Sequence, residues 1–287
     1  MRPLVVQATR ATTWMRCKRD AFATVLLMLA AGTTPALEPL PRAALISLEK
    51  ADAAFRAGVE KKAVVLAARK HFAEATDHYL DVHRRGIRSP SLYLKLGNAA
   101  ALADRWPEAL WAYHMGLKLD PNNARLRTHL TFVRAKVIYP PANFGRPDAD
   151  TWPVWLHRPS VGELLLIGAL AYLLTYILAA IAWLRGAVKL IVVALVCLSV
   201  AGSAGFAYWR SNEQATVDRD TPLVIIVYNT PFQRGNGTSY PQHAILPLLP
   251  RGMEVRRLHV RGHWLQVRLS TGEVGWIPTS AALVVEP

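Results

Sequence analysis

Three side chains have the types and spacing for metal chemistry. His71, Glu74 and His78 stand at i, i+3 and i+7, so a helix through them carries all three on one face. Two imidazoles and a carboxylate can hold a divalent cation. The same spacing also describes an ordinary solvated polar face, and that is the expectation here. The sequence has no His-Glu-x-x-His pair, no phosphate-binding loop, no Gly-x-Ser-x-Gly elbow and no Cys-x-x-Cys. Its two cysteines, Cys17 and Cys197, are too few for a disulfide framework or a thiolate zinc site. A noncatalytic chain with no metal and no cofactor is expected.

The elements around these residues follow from hydropathy. Of 287 residues, 52% are hydrophobic and 19% charged, with a mean hydropathy of +0.16. Such a surplus has to be concentrated somewhere. Ala21–Gly32 is a short apolar run behind a basic segment, and small residues follow at Thr34, Pro35 and Ala36. That pattern predicts a secretory signal over residues 1–36. Leu164–Leu184 and Leu190–Trp209 are uncharged runs of 21 and 20 residues. Each matches the ~20 residues that cross ~30 Å of hydrocarbon. They predict a transmembrane hairpin over residues 160–210, turning at Arg185–Lys189. Glu163 is expected at the membrane boundary, and Cys197 as apolar filler within a span. Export and the basic turn place both flanking soluble parts on the extracytoplasmic side of the inner membrane.

A net charge of +14 raises the question of nucleic acid. The excess is dispersed between the signal and residues 37–159, without a basic block or interleaved aromatics. A nucleic-acid groove is therefore not expected.

Residues 37–138 read as helical. Within them Pro90–Asn123 resembles a tetratricopeptide repeat nearly end to end. Tyr93, Leu96, Gly97, Ala109, Tyr113, Gly116 and Pro121 fall on its signature positions. Gly97 and Ala109 would let two helices approach, and Leu96 and Tyr113 would fill the space between them. Upstream, Ala51–Gly58 and His71–His83 read as a degenerate repeat whose connection, Val59–Arg69, is too long for the usual turn. Ala124–Val137 is expected to cap the stack. The inner groove of such an array would be lined by Ser91, Leu94, Lys95, Asn98, Ala101 and Leu102. Asn98 matches a carboxylate-clamp position, but Leu94 stands where that clamp needs Lys. Residues 139–159, with five prolines, read as an extended tether.

Residues 211–287 form the last domain, in which Leu223–Val285 changes period to short β runs divided by Pro, Gly and Asn clusters, which suits a small all-β barrel. The stretch from Leu249 to Leu283 resembles a bacterial SH3 domain through Gly252, Trp264, Val267, Gly275 and Trp276. Trp264 and Trp276 are expected in its core.

The order of these parts, with the Leu92–Asn98 and Leu117–Asn123 runs, resembles the BatE-type proteins of bacterial aerotolerance (Bat) operons. That resemblance implies a membrane scaffold of the cell envelope acting with von Willebrand A-type Bat proteins and a MoxR-type ATPase. A cell-wall protein holding peptidoglycan through its SH3-like domain is the alternative.

Overall fold

The computed structural model describes residues 42–140, 146–147, 159–186 and 188–285. The signal expected over 1–36 and most of the tether lie outside the described residues. Among the described residues five helices come first: α1 (Arg42–Glu60), α2 (Val65–Arg84), α3 (Pro90–Leu102), α4 (Trp106–Leu119) and α5 (Ala124–Arg134). Each packs on its neighbour in the chain.

Local chemistry sets several of the ends. The Ser89 side chain accepts from Leu92 N at 3.2 Å ahead of Pro90, whose missing N–H costs nothing in a first turn. Asn123 caps α5 in the same way, accepting from Leu126 N. Asp120 ends α4 by accepting from Asn122 N and Asn123 Nδ2. Gly97 explains how closely α3 and α4 approach: a Cβ there would stand 2.3 Å from the Tyr113 ring.

The long connection expected over Val59–Arg69 does not exist as a loop. Only residues 61–64 separate α1 from α2, and the extra length has gone into helix. α1 and α2 have 19 and 20 residues against 13 and 14 in α3 and α4. Ala, Val, Leu, Arg and Lys in this stretch include no Gly or Pro to stop either helix.

Two further helices, α6 (Val161–Arg185) and α7 (Val188–Asp220), are long and apolar enough to cross a membrane, and they pack on each other. Gly186 makes their tight turn possible, with φ +62°. Glu163 has a role the sequence reading missed. Its side chain accepts from Ser160 N at 2.7 Å while Ser160 Oγ accepts from Glu163 N, a reciprocal cap that starts α6. α7 runs through Asp220, taking in residues 211–220 that the sequence reading assigned to the β region. Polar but unbroken by Pro or Gly until Pro222, they continue the helix.

Seven short strands follow: β1 (Leu223–Ile226), β2 (Thr230–Pro231), β3 (Leu248–Leu249), β4 (Glu254–Arg261), β5 (Trp264–Arg268), β6 (Val274–Pro278) and β7 (Ala282–Val284). Five form an antiparallel sheet in the order β6-β5-β4-β1-β7, and β2 pairs with β3. One face of the sheet closes on Val224, Ile226, Phe232, Met253, Val255, Leu265, Val267 and Ile277.

The outer face is shared with the helices. Ile225 and Val285 are buried in the same cluster as Tyr93, Leu110 and Trp111. Trp111 Nε1 donates to Val284 O at 3.0 Å. Beside them Arg134 donates twice to Glu254, at 2.7 Å each, and His114 Nε2 lies 3.0 Å from the same carboxylate. Burial pushes the Glu254 carboxyl up, but the charge and hydrogen bond of His114, with those of Arg134, outweigh it and hold it at about 2. Helical and β regions thus share a core, where the sequence reading treated them as separate domains.

Candidate functional site

Of the groove residues expected on α3, the structure gathers three. Asn98, Ala101 and Leu102 line an open cavity of about 500 Å³ with Phe55 of α1 and Phe132 of α5. Lys95 and Asn98 line an adjoining cavity of about 250 Å³ with Asp52 and Phe55, so the two share Phe55 and Asn98. Leu94 lines neither cavity and packs, partly buried, against the helical core. Ser91 is exposed and lines neither.

Neighbouring packing, not spacing along α3, makes this split. Asn98, Ala101 and Leu102 are three and four residues apart, on one stripe, and Leu94, one turn earlier on it, is covered by the helical core instead of opening on the cavity. Tyr113 fixes Asn98 from α4 by donating to Oδ1 at 2.9 Å, which leaves the amide nitrogen of Asn98 as the donor end of that side chain. Burial pushes the Tyr113 phenol up, so it stays a neutral donor.

Lys95 is not a free cation. Its Nζ donates to both oxygens of Asp52 at 2.9 Å, and Tyr79 OH donates to Asp52 Oδ1 at 2.5 Å. Burial raises the Asp52 carboxyl, but those hydrogen bonds and the Lys95 and Arg56 charges bring it below its ordinary value. Burial and the bond to Asp52 push the Tyr79 phenol far up. The cluster favours the charged carboxylate of Asp52 and the neutral phenol of Tyr79. The arrangement suits hydrogen bonding and apolar contact with a chain laid along it.

Asp52, Phe55 and Phe132 were not legible as site residues because they belong to helices 40 or more positions before Lys95 and 30 after Leu102. Phe132 carried a usable signal. It lies off the buried stripe Leu126, Leu130 and Val133 and is 56% exposed, an apolar ring left outside its own core.

The remaining signature positions are placed plainly. Tyr93, Leu96, Ala109 and Tyr113 are buried, Gly116 sits against Leu126 and Tyr93, and Pro121 is exposed in the turn. In the sheet, Val267 is buried, and Gly252 has φ +84° and donates to Ile226 O at 2.7 Å. Gly275 makes room for the Phe232 ring, which a Cβ would meet at 2.5 Å.

Trp264 and Trp276 are not in the core. Alternation puts Leu265, Val267, Gly275 and Ile277 inward, so the two tryptophans lie half-buried on the outer face with Gln266 and Pro278. Phe232 fills the interior instead. That outer face also carries Arg261 and Arg268, exposed and without an ion-pair partner among the described residues.

His71 lies 3.2 Å from Glu74 and 3.1 Å from Lys61 Nζ, a cation where a metal would stand. Among the described residues, no group of three or more His, Cys, Asp or Glu comes together to hold a metal ion. Cys197 is partly exposed on α7.

No protein-family model, curated protein or solved structure matches the chain.

Proposed function

We propose that this chain is a noncatalytic protein-interaction scaffold of the bacterial cell envelope, anchored in the inner membrane by α6 and α7. In this proposal α1–α5 are a short tetratricopeptide-type array, the β region is an SH3-like module, and both face the extracytoplasmic side, as in BatE-type proteins. Their partners would be von Willebrand A-type Bat proteins working with a MoxR-type ATPase.

One observation carries it: Asn98 and Leu102 share an open apolar cavity with Phe55 and Phe132. Aromatic anchors around a fixed polar group are what a groove needs to hold a polypeptide segment by a few contacts. A photo-crosslinker at Thr128, exposed on the cavity wall, should recover a von Willebrand A-type protein from native membranes. Asn98→Ala with Leu102→Glu should abolish that product without lowering abundance; a product that survives rejects the groove. Topology has its own test. An impermeant thiol reagent should label Ser270→Cys but not Lys189→Cys in cells with a permeabilised outer membrane.

The outward Trp264 and Trp276 favour a second reading, cell-wall binding through the sheet. Co-sedimentation with purified sacculi that is lost in Trp264→Ala with Trp276→Ala, yet kept in the Asn98 and Leu102 variant, would favour it.

A further inference from the structure

The extra length of the α1–α2 hairpin ends in a tip unlike the rest of the array. Val64, Val65 and Leu66 are consecutive and 62, 62 and 81% exposed, with Val59 close by at 46%. Around them stand Lys61, Lys62, Arg69 and Lys70, all exposed, with Glu60 the one acid between Val59 and Lys70, though Arg69 also faces Asp104 and Lys61 lies 3.1 Å from His71. Runs of three exposed apolar residues are avoided in water unless something covers them.

The geometry narrows what that is. Val64 precedes the first turn of α2, and Val65 and Leu66 open it ~100° apart, so the three exposed side chains spread around the tip and do not share one helical stripe. A protein groove would meet one stripe of a helix, whereas a bilayer interface surrounds an inserted tip. The flanking cations complement anionic headgroups, as in interfacial anchors.

Position in the fold tells which bilayer. α7 joins β1 at Leu223 through two residues and is held there by Arg256, which donates to Asp218 and to Thr221 O. Val285 N bonds Leu223 O, and Lys118, near the end of α4, reaches Val285 O. The start of α4 lies at the other end of β1. There Arg251 donates to Asp104 O in the α3–α4 turn, and Gly252 N donates to Ile226 O. Arg69 of α2 approaches that same Asp104, at 4.0 Å. Asp52 and Asn98 each accept from a tyrosine of the following helix, and beyond those matched positions α1 runs to Glu60 while α3 stops at Leu102. The α1–α2 tip therefore projects roughly 6–10 Å further, at the end of the body opposite the entry of α7.

We propose that this tip docks on a second, apposed anionic bilayer. The inference rests on the membrane anchoring proposed above, and incorporation of the chain into nanodiscs through α6 and α7 tests that separately. The experiment uses the full chain with Cys17→Ser and Cys197→Ala, carrying an environment-sensitive fluorophore on Ala63→Cys, in phosphatidylcholine nanodiscs. Adding vesicles of equimolar phosphatidylcholine and phosphatidylglycerol should raise emission several-fold, and phosphatidylcholine vesicles should not. Val65→Asp with Leu66→Asp should weaken vesicle binding at least tenfold, and each of Lys61→Gln, Lys62→Gln and Lys70→Gln about fivefold. Unchanged melting of these exposed-site variants shows that the fold survives. The proposal is overturned if the double variant binds vesicles like the parent. It is also overturned if emission rises in phosphatidylglycerol nanodiscs without vesicles, which assigns the tip to its own bilayer. A rise with protein concentration alone, which marks a second copy, overturns it too.

Discussion

The two helical hairpins solve one packing problem with different surroundings. In α3–α4, Gly97 admits the Tyr113 ring and Tyr113 OH is held by Asn98. In α1–α2, Gly58 admits the Phe72 ring and Tyr79 OH is held by Asp52. The second hairpin is enclosed: Trp111 and His114 of α4 reach the sheet, and α5 closes its other side. The first has a free end and spends its added residues there. A shared core constrains one hairpin, while the other keeps surface to use elsewhere.

That contrast can be broken most severely at the sheet. Glu254→Ala strands the buried side of Arg134 and His114 and should cost ~3–5 kcal/mol. Hydrogen exchange should accelerate in α4 well before α1 and α2; uniform acceleration would show that the array unfolds as one. The acid limb gives an independent reading. Because the folded carboxyl sits near 2 rather than about 4.5, its contribution is present above pH 4.5 and fades as pH falls toward 2. Glu254→Gln should flatten melting temperature against pH over that window.

Next in size is the close approach of the helices. Gly97→Leu forces a side chain into Tyr113 and should cost ~1–3 kcal/mol or more. Gly58→Leu meets Phe72 at 2.7 rather than 2.3 Å for the first added carbon, nearer the free end, and should cost less. Equal losses in calorimetry would mean that the hairpins are equally constrained.

Smaller still are the two phenols. Tyr79→Phe removes a bond to a charged acceptor, worth ~1.5–3 kcal/mol, and Tyr113→Phe one to a neutral amide, ~0.5–1.5. Asp52 keeps Lys95 in the first case, so the loss should fall at the low end. The smallest effect belongs to the tip: Leu66→Asp should change melting stability by no more than ~0.5 kcal/mol, since its side chain supports no core.

Legibility differed with the range of the interactions. Seven spaced residues from Tyr93 to Pro121 forecast α3, α4 and their turn, because caps and Gly–aromatic contacts act within one hairpin. Val59–Arg69 was misread because a repeat of standard length was assumed, although nothing in its composition stops a helix. Trp264 and Trp276 were placed inside on size alone. The alternation of Leu265, Val267, Gly275 and Ile277 was the better guide, since a strand has only two faces.

By itself, then, the sequence determined what depends on neighbours along the chain: the helix caps, the apolar length of α6 and α7, and the change of period at Leu223. Only the tertiary structure decided that Phe55 and Phe132 join Asn98 and Leu102, that Glu254 closes on Arg134, and that helices and sheet share a core. Those contacts link residues tens to more than a hundred positions apart. Local spacing carries no record of which distant surfaces meet; mutual burial of their apolar faces settles it.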